Sequence, residues 1–167
     1  MPYSHSVRIA GPGDHERIEM LLTASYYALF KAGYDAETLD AALPIITRAN
    51  PVLLSSGRFY LTETSAMATG CGGWSIERPG SGEIEAGLGH IRHFAVHPDW
   101  LRRGIGGAIL NRSIDAARRS GIRRLECNSS LVAVEFYAAN GFRDTGPVSA
   151  DLGNGTFLPG RLMIRDI

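Results

Sequence analysis

The chain has 167 residues, of which 44% are hydrophobic, enough for one hydrophobic core and too few for two ordinary domains. Seventeen basic residues balance seventeen acidic ones, so the net charge gives no support to a nucleic-acid or membrane-surface role. Two isolated cysteines, no signal-peptide core and no apolar stretch of roughly 20 residues predict a cytoplasmic protein without disulfides, a zinc site or a membrane span.

The first part of the chain predicts a strand, two helical segments and a hairpin. Residues 7–10 are expected to form a strand, and Asp14 is expected to cap the following helix. Apolar residues at three- and four-residue spacing predict that helix over residues 16–30. Residues 36–48 predict a second helical segment that is broken at Pro44 and followed by Asn50-Pro51. Residues 58–64 and 66–77 are rich in β-formers and predict a hairpin.

The second part of the chain alternates between strands and helices. We expect strands at 88–96, 122–128, 142–148 and 156–165, and helices at 104–120 and 131–140. The element order is then β-α-α-β-β-β-α-β-α-β-β, which predicts an α+β fold with a mixed, mostly antiparallel sheet of six to seven strands and helices on both faces. No repeat or linker divides the chain, so residues 1–167 are expected to form a single domain.

The most informative segment is a glycine-rich turn between the strand that ends near Pro98 and the next helix. Gly104, Gly106 and Gly107 lack the β-carbons that would keep an anion away, so successive amides can point together at phosphate oxygens. Arg102 and Arg103 add positive charge. The alternative is that the glycines serve close packing and the arginines face solvent. ATP and NAD are disfavoured because neither of their common glycine-loop patterns fits.

Two motifs carry a resemblance to a known family. Val96-His97-Pro98 followed by Gly104-Ile105-Gly106 resembles the first signature of the GNAT superfamily of acyl-CoA-dependent N-acyltransferases. Tyr137 followed by Gly141-Phe142 resembles the second signature.

The chain departs from the family pattern at two places. Leu101 occupies the usual Gln/Arg position, which loses a side-chain contact and keeps the backbone amide. Ser130 replaces the usual Asn seven residues before the tyrosine, and Asn128 lies two residues earlier. We expect Ser130 to cap the helix that carries Tyr137.

The resemblance implies a single GNAT-like N-acetyltransferase domain that uses acetyl-CoA as acyl donor, without a metal, and a small-molecule or peptide amine as acceptor. It implies a V-shaped gap between strands 88–96 and 122–128, with the pantetheine arm along the first. The residues expected to contact the donor are Phe94, Val96, Leu101, Arg102, Arg103, Gly104, Gly106, Gly107, Asn128, Ser130 and Tyr137.

Two catalytic residues are predicted. Tyr137 resembles the family's general acid, and its alternative is a tyrosine that only packs on the sheet. His90 occupies the strand position where some family members carry a catalytic glutamate, and its alternative is a histidine hydrogen-bonded to solvent. Strand alternation predicts that His90, Arg92, Phe94 and Val96 share one face, while Ile91, His93 and Ala95 share the other. Amides of residues 94–96 are candidates to stabilise the oxyanion.

The remaining unusual residues receive structural interpretations. Glycines in the run 70–73 are expected to mark a bend or a close backbone approach, and Cys71 lacks any feature that would activate it. The aromatic residues Tyr26, Tyr27, Phe30 and Tyr34, together with Asp35 and Glu37, are candidates either to surround a small amine or to fasten the helices together. We favour fastening for most of them. His5 is expected in a mobile terminus, His15 in the first helical turn and His97 in a turn.

Two other functions stay open at this point. The first is a non-catalytic CoA-binding sensor or regulatory module that keeps the glycine loop and lacks useful acid and base groups. The second is nucleic-acid binding through the arginines between 102 and 124, which we rank low because several lie where a helix dipole favours cations. The sequence leaves the oligomeric state open, with a homodimer among the options.

Overall fold

The computed structural model describes residues 5–167 and contains one seven-stranded sheet. The strands are β1 (Arg8–Ile9), β2 (Phe59–Glu63), β3 (Ala68–Ser75), β4 (Leu88–Val96), β5 (Arg124–Ser130), β6 (Arg143–Asp151) and β7 (Phe157–Asp166). Their order across the sheet is β1-β2-β3-β4-β5-β7-β6. Every neighbouring pair is antiparallel except β4 and β5, which run parallel. The predicted mixed, mostly antiparallel α+β architecture is confirmed.

Five α-helices accompany the sheet within residues 5–167: α1 (His15–Leu29), α2 (Ala36–Ile46), α3 (Pro51–Ser55), α4 (Ile105–Arg119) and α5 (Val134–Ala139). One core cluster joins α1, α2 and α3 to the sheet through residues such as Leu22, Leu61 and Ala95. A second cluster joins α4 and α5 to the sheet through residues such as Trp74, Ile109 and Leu125. Helices therefore cover both faces, as the element order predicted.

The helical cover between α1 and β2 differs from the prediction. Residue Pro44 does not break α2, because it stands in the last turn, where its missing N–H removes only one bond before the helix ends at Ile46. A separate short helix, α3, begins at Pro51, and the Asn50 side chain accepts from the amides of Val52 and Leu53. The sequence prediction missed α3.

Asp14 also differs from its predicted role. Its carboxylate accepts from the amide of Gly11 at 2.8 Å and from the Arg8 guanidinium at 2.7 Å. It forms no side-chain cap on α1, although it occupies the position before that helix. Asp14 therefore fastens the entry turn to β1. Within residues 5–167, no helix has the length and apolar character needed to cross a membrane.

Candidate active site

The centre of the sheet contains a gap between β4 and β5. The two strands pair at only three positions, from Leu88 with Arg124 to His90 with Glu126, and beyond that point the described strands do not pair. Each strand keeps its other neighbour: β4 pairs with β3, and β5 pairs with β7 as far as Ser130. The V-shaped gap implied by the resemblance is confirmed.

A bulge shapes the β4 side of the gap. The register with β3 shifts between Cys71 and Gly73, and His93 adopts a φ of 50° in the left-handed region. The extra residue changes the alternation of side chains after Arg92. Phe94 and Val96 therefore pack against the same core cluster as Ile91.

Because of this bulge, the side chains of β4 lie on different faces of the sheet from those predicted. Ala95 belongs to the cluster on the α1 side, whereas Phe94 and Val96 belong to the α4 side. His90 pairs across from Ser75, and the Arg92 guanidinium donates to the Ser75 hydroxyl at 3.0 Å. The prediction that His90 and Arg92 share a face with Phe94 and Val96 was wrong, because strict alternation does not survive an inserted residue.

The glycine-rich loop opens α4 beside the far end of β4. Arg102 has a φ of 58° and Gly104 a φ of 80°, so left-handed residues alternate along the loop. Such alternation turns successive N–H groups toward one side and forms an anion-binding concavity. The first amides of a helix have no intrahelical partner, and no described side chain caps Gly104. The loop therefore presents unsatisfied donors at the positive end of a 15-residue helix.

The three loop glycines have different surroundings. A β-carbon on Gly104 or Gly107 would meet no atom within 4 Å, so the space above both residues is open. A β-carbon on Gly106 would lie 3.0 Å from the Phe136 ring and 3.7 Å from Val96. Gly106 thus serves close packing between α4, α5 and β4, which is the alternative considered from the sequence. Gly104 and Gly107 leave room for a ligand.

The side chains around the loop are mostly exposed. Leu101 is 40% exposed and Arg102 is also exposed, whereas the Arg103 guanidinium lies 4.6 Å from the Trp100 ring centroid. The His97 ring accepts from the Asp99 amide, which confirms its predicted place in the turn. His5 contacts the Arg103 carbonyl at 2.5 Å.

Tyr137 lies on α5 and is 5% exposed. Its ring makes edge contacts with Phe94, Phe136 and Phe142. Burial raises the pKa of Tyr137 well above its ordinary value, and interaction with the Cys127 thiol on β5 adds to the effect. The phenol therefore stays protonated at neutral pH and stands between β4 and β5, where the two strands have separated.

Tyr26 approaches the same gap from α1. Its hydroxyl donates to the Phe94 carbonyl at 2.9 Å, directly after the bulge, and burial raises its pKa. Tyr34 donates to the Pro159 carbonyl and accepts from the Leu131 amide, while Phe30 stacks on Tyr26. Fastening, the favoured interpretation of these three aromatic residues, is confirmed.

His90 is 3% exposed and stands at the last paired position before the gap. Its Nδ1 lies 3.7 Å from a Glu126 carboxylate oxygen, and its Nε2 has no hydrogen-bond partner within residues 5–167. Burial lowers the pKa of His90, the Glu126 charge opposes that shift, and the charges of Arg78 and Arg92 reinforce it. The imidazole is therefore neutral at pH 7 and retains an unsatisfied ring nitrogen. The ring is thus buried rather than exposed at a strand end.

Asn128 and Ser130 lie in β5 rather than at a helix start. Asn128 pairs with Leu162, and Ser130 pairs with Gly160. Helix α5 begins at Val134, and its N-cap is Ala133 without a side-chain cap bond. The prediction that Ser130 caps this helix was wrong, because continued pairing with β7 extends the strand through it.

The glycine run of β3 has the predicted structural role. A β-carbon on Gly72 would lie 2.6 Å from the Phe94 ring, and one on Gly70 would lie 2.3 Å from Ile105. Close approach of neighbouring elements therefore requires both glycines. Cys71 is fully buried, and burial raises the pKa of its thiol to about 12, so it is no nucleophile.

Several residues near the gap escaped the sequence analysis. Glu126 accepts from Arg78 at 2.9 Å and stands beside His90, although it is 48 residues from Arg78 in the chain. Such long-range pairs leave no local pattern.

Comparison with known proteins places this arrangement in a family. The fold resembles a GCN5-related N-acetyltransferase from Rhodopseudomonas palustris, with a TM-score of 0.76 and 20% identity over 100% of this chain and 98% of that one. Residues 74–154 match the sequence model of the acetyltransferase (GNAT) domain. This match, which covers just under half of the chain, and the likeness of fold support a GNAT superfamily acetyltransferase.

Two further similar proteins are informative. The PaiA N-acetyltransferase from Thermoplasma acidophilum, solved with coenzyme A, matches with a TM-score of 0.73 and 15% identity over 99% of this chain and 100% of that one. An IAA acetyltransferase from Azospirillum brasilense is 29% identical over 117 residues, which cover 68% of this chain and 69% of that protein. The structural likeness shows the fold, and these identities leave the acceptor open.

Proposed function

We propose that this GNAT protein is an N-acetyltransferase that transfers the acetyl group of acetyl-CoA to a primary amine of a small molecule or peptide. The amine would attack the thioester directly in a ternary complex. The observation that carries the proposal is the coincidence of three features at one gap: an open glycine loop, a buried protonated Tyr137 and a buried neutral His90.

The loop supports binding of the CoA diphosphate. The amides of residues 102–107 would donate hydrogen bonds to phosphate oxygens, because Gly104 and Gly107 leave open space and the helix terminus favours negative charge. Arg102 and Arg103 would add positive charge at the rim. Gly106 lies against Val96 and Phe136, so the loop adjoins the gap in which the rest of the donor would extend. The PaiA relative, solved with coenzyme A, is consistent with this assignment.

The gap supports binding of an extended pantetheine arm. Beyond His90 and Glu126 the facing edges of β4 and β5 do not pair, which leaves room for a chain to bond as an additional strand. Among the proposed contacts, Phe94 and Val96 lie on this edge of β4, and Asn128 and Ser130 lie on β5. The Phe94 carbonyl already accepts a hydrogen bond from Tyr26. We therefore propose that the Phe94 N–H is the group that bonds to the pantetheine arm.

Tyr137 is proposed as the general acid. When the amine nitrogen bonds to the acetyl carbon and the carbon–sulfur bond breaks, Tyr137 would donate its proton to the departing thiolate. Burial keeps that proton in place until a strongly basic group forms nearby. Backbone amides after the bulge, in residues 94–96, would stabilise the oxyanion without reorganisation.

His90 is proposed as the general base. Its neutral imidazole would accept the proton that the attacking amine loses, through a water molecule that reaches the unpartnered Nε2. Glu126 stands near Nδ1 at 3.7 Å and would stabilise the imidazolium that forms.

The test combines a chemical assay with a binding assay. Acetyl-CoA turnover is followed by thiol release with a panel of primary amines, and CoA binding by calorimetry. We expect Tyr137→Phe to reduce kcat at least a hundredfold while CoA affinity stays within about twofold, since a general acid contributes on the order of 10²–10⁴ in rate. Tyr27→Phe is the matched control, because Tyr27 is 44% exposed on α1.

Two results would contradict the proposal. Turnover unchanged in Tyr137→Phe would remove the acid role. CoA binding without acetylation of any amine would favour the non-catalytic sensor or regulatory module, for which the deep burial of His90 is the supporting observation.

A further inference from the structure

Arg92 is a half-buried cation without an ion pair on β4. One N–H of its guanidinium donates to the Ser75 hydroxyl at 3.0 Å. Within the part of the chain that the structure describes, no carboxylate forms an ion pair with it, and Glu77 acts on it only through space. Burial lowers the pKa of Arg92.

The neighbouring carboxylates leave the Arg92 guanidinium without a bonded partner of opposite charge within residues 5–167. Glu126, the carboxylate beside His90, is already bonded to Arg78 at 2.9 Å. The charge of Arg92 lowers the pKa of both His90 and His93, so it acts on two neutral imidazoles. A partly desolvated guanidinium with free N–H groups is costly alone and binds a carboxylate strongly, often through two parallel hydrogen bonds.

Arg92 also has a defined place relative to the gap. It lies two residues beyond the last β4–β5 pair and one residue before the bulge. It shares its sheet face with His90, the proposed base, because both contact or pair with Ser75. An amine that used His90 as its base would approach from this face and would meet the Arg92 guanidinium.

We propose that the acceptor is an amine that also carries a carboxylate, and that Arg92 binds this carboxylate and so determines acceptor specificity. The inference rests on the proposed N-acetyltransferase activity and names its substrate class. Arg92 would orient the acceptor so that its amine points toward His90 and the gap.

The test compares matched acceptors with and without a carboxylate. Phenylalanine is paired with 2-phenylethylamine, glutamate with propylamine, and tryptophan with tryptamine, and kcat and KM are measured for each with saturating acetyl-CoA. The wild type is expected to prefer the carboxylate-bearing member of at least one pair by tenfold or more in kcat/KM. In Arg92→Gln, the KM of that acceptor should rise about 10- to 100-fold, the size of a lost charge-assisted hydrogen bond. The KM for acetyl-CoA should not change.

The control is Arg119→Gln, which removes one cation from the exposed last turn of α4, away from the gap. Circular dichroism and thermal denaturation establish that both variants fold. Arg92→Lys provides a second variant, which keeps the charge and is expected to restore part of the preference.

The outcomes are distinguishable. Equal use of the paired amines by the wild type, or an Arg92→Gln variant that loses kcat equally for both members, would overturn the acceptor inference while acetyl transfer stands. If no amine of either kind is acetylated although CoA binds, the proposed function fails and the acceptor inference fails with it.

Discussion

Gly107 offers a test in which stability and ligand binding change in opposite directions. It is the third residue of α4, and a β-carbon added there would meet no atom within 4 Å. Gly107→Ala should therefore raise the free energy of unfolding by about 0.5–1 kcal/mol, because glycine is costly inside a helix. For a chain of this length, the corresponding rise in Tm is about 1–4 °C.

The same methyl group should weaken CoA binding. The open space above Gly107 is where the diphosphate would contact the backbone amides, and a β-carbon there would push it away. Loss of one hydrogen bond to a charged group costs about 1.5–3 kcal/mol, so the Kd for CoA should rise about 10- to 100-fold. Differential scanning calorimetry and isothermal titration calorimetry measure the two effects on the same samples.

Two comparison variants sharpen this prediction. Asn111→Ala, at an exposed position of the same helix, should also raise stability but leave CoA affinity unchanged. Gly106→Ala should lower stability, because its β-carbon would lie 3.0 Å from the Phe136 ring. If CoA bound Gly107→Ala as tightly as the wild type, the loop would not be where the diphosphate is held, and the reasoning would be refuted.

Two further predictions concern the bulge. Tyr26→Phe removes the hydrogen-bond donor to the Phe94 carbonyl and should lower the free energy of unfolding, measured by urea denaturation, by about 1–3 kcal/mol. The control Tyr27→Phe should change this free energy little. A loss below about 0.5 kcal/mol in Tyr26→Phe would show that the hydrogen bond does not stabilise the fold. Burial lowers the pKa of His93 to about 4, and that of His90 is also lowered, so the unfolded chain binds more protons between about pH 4 and pH 6.5. The free energy of unfolding should therefore fall as the pH drops through this window. The variant His93→Asn, in which asparagine tolerates the left-handed backbone, should flatten the dependence of this free energy on pH, whereas the exposed control His15→Asn should not. An unchanged pH dependence in His93→Asn would contradict this account.

Local sequence signals predicted the elements that bound the gap. The β4 strand matched its predicted limits because Gly87, with a φ of 78°, precedes it and Pro98 follows it. The glycine loop and its helix were likewise recognisable, since glycine spacing and amphipathic periodicity are local properties. The helix α3 was missed because five residues are too few to show a helical period.

The features that sequence could not provide depend on contacts between distant segments. Nothing local marks His93 as the residue that takes a left-handed conformation, yet that one residue reverses the faces of Phe94 and Val96. The extension of β5 through Ser130 depends on Gly160, where a β-carbon would lie 2.4 Å from the Ser129 carbonyl oxygen. Prediction of such details requires the partner strand, not the strand alone.

The short β4–β5 ladder has a mechanical consequence. Strands β1 to β4 form one hydrogen-bonded unit and β5 to β7 another, and only three residue pairs join them along the sheet. An extended ligand that hydrogen-bonded to the free edges of both β4 and β5 would lengthen the connection between the two units. Part of its binding free energy would therefore make the whole sheet more rigid. The two units should therefore be held together more strongly in the complex than in the free protein.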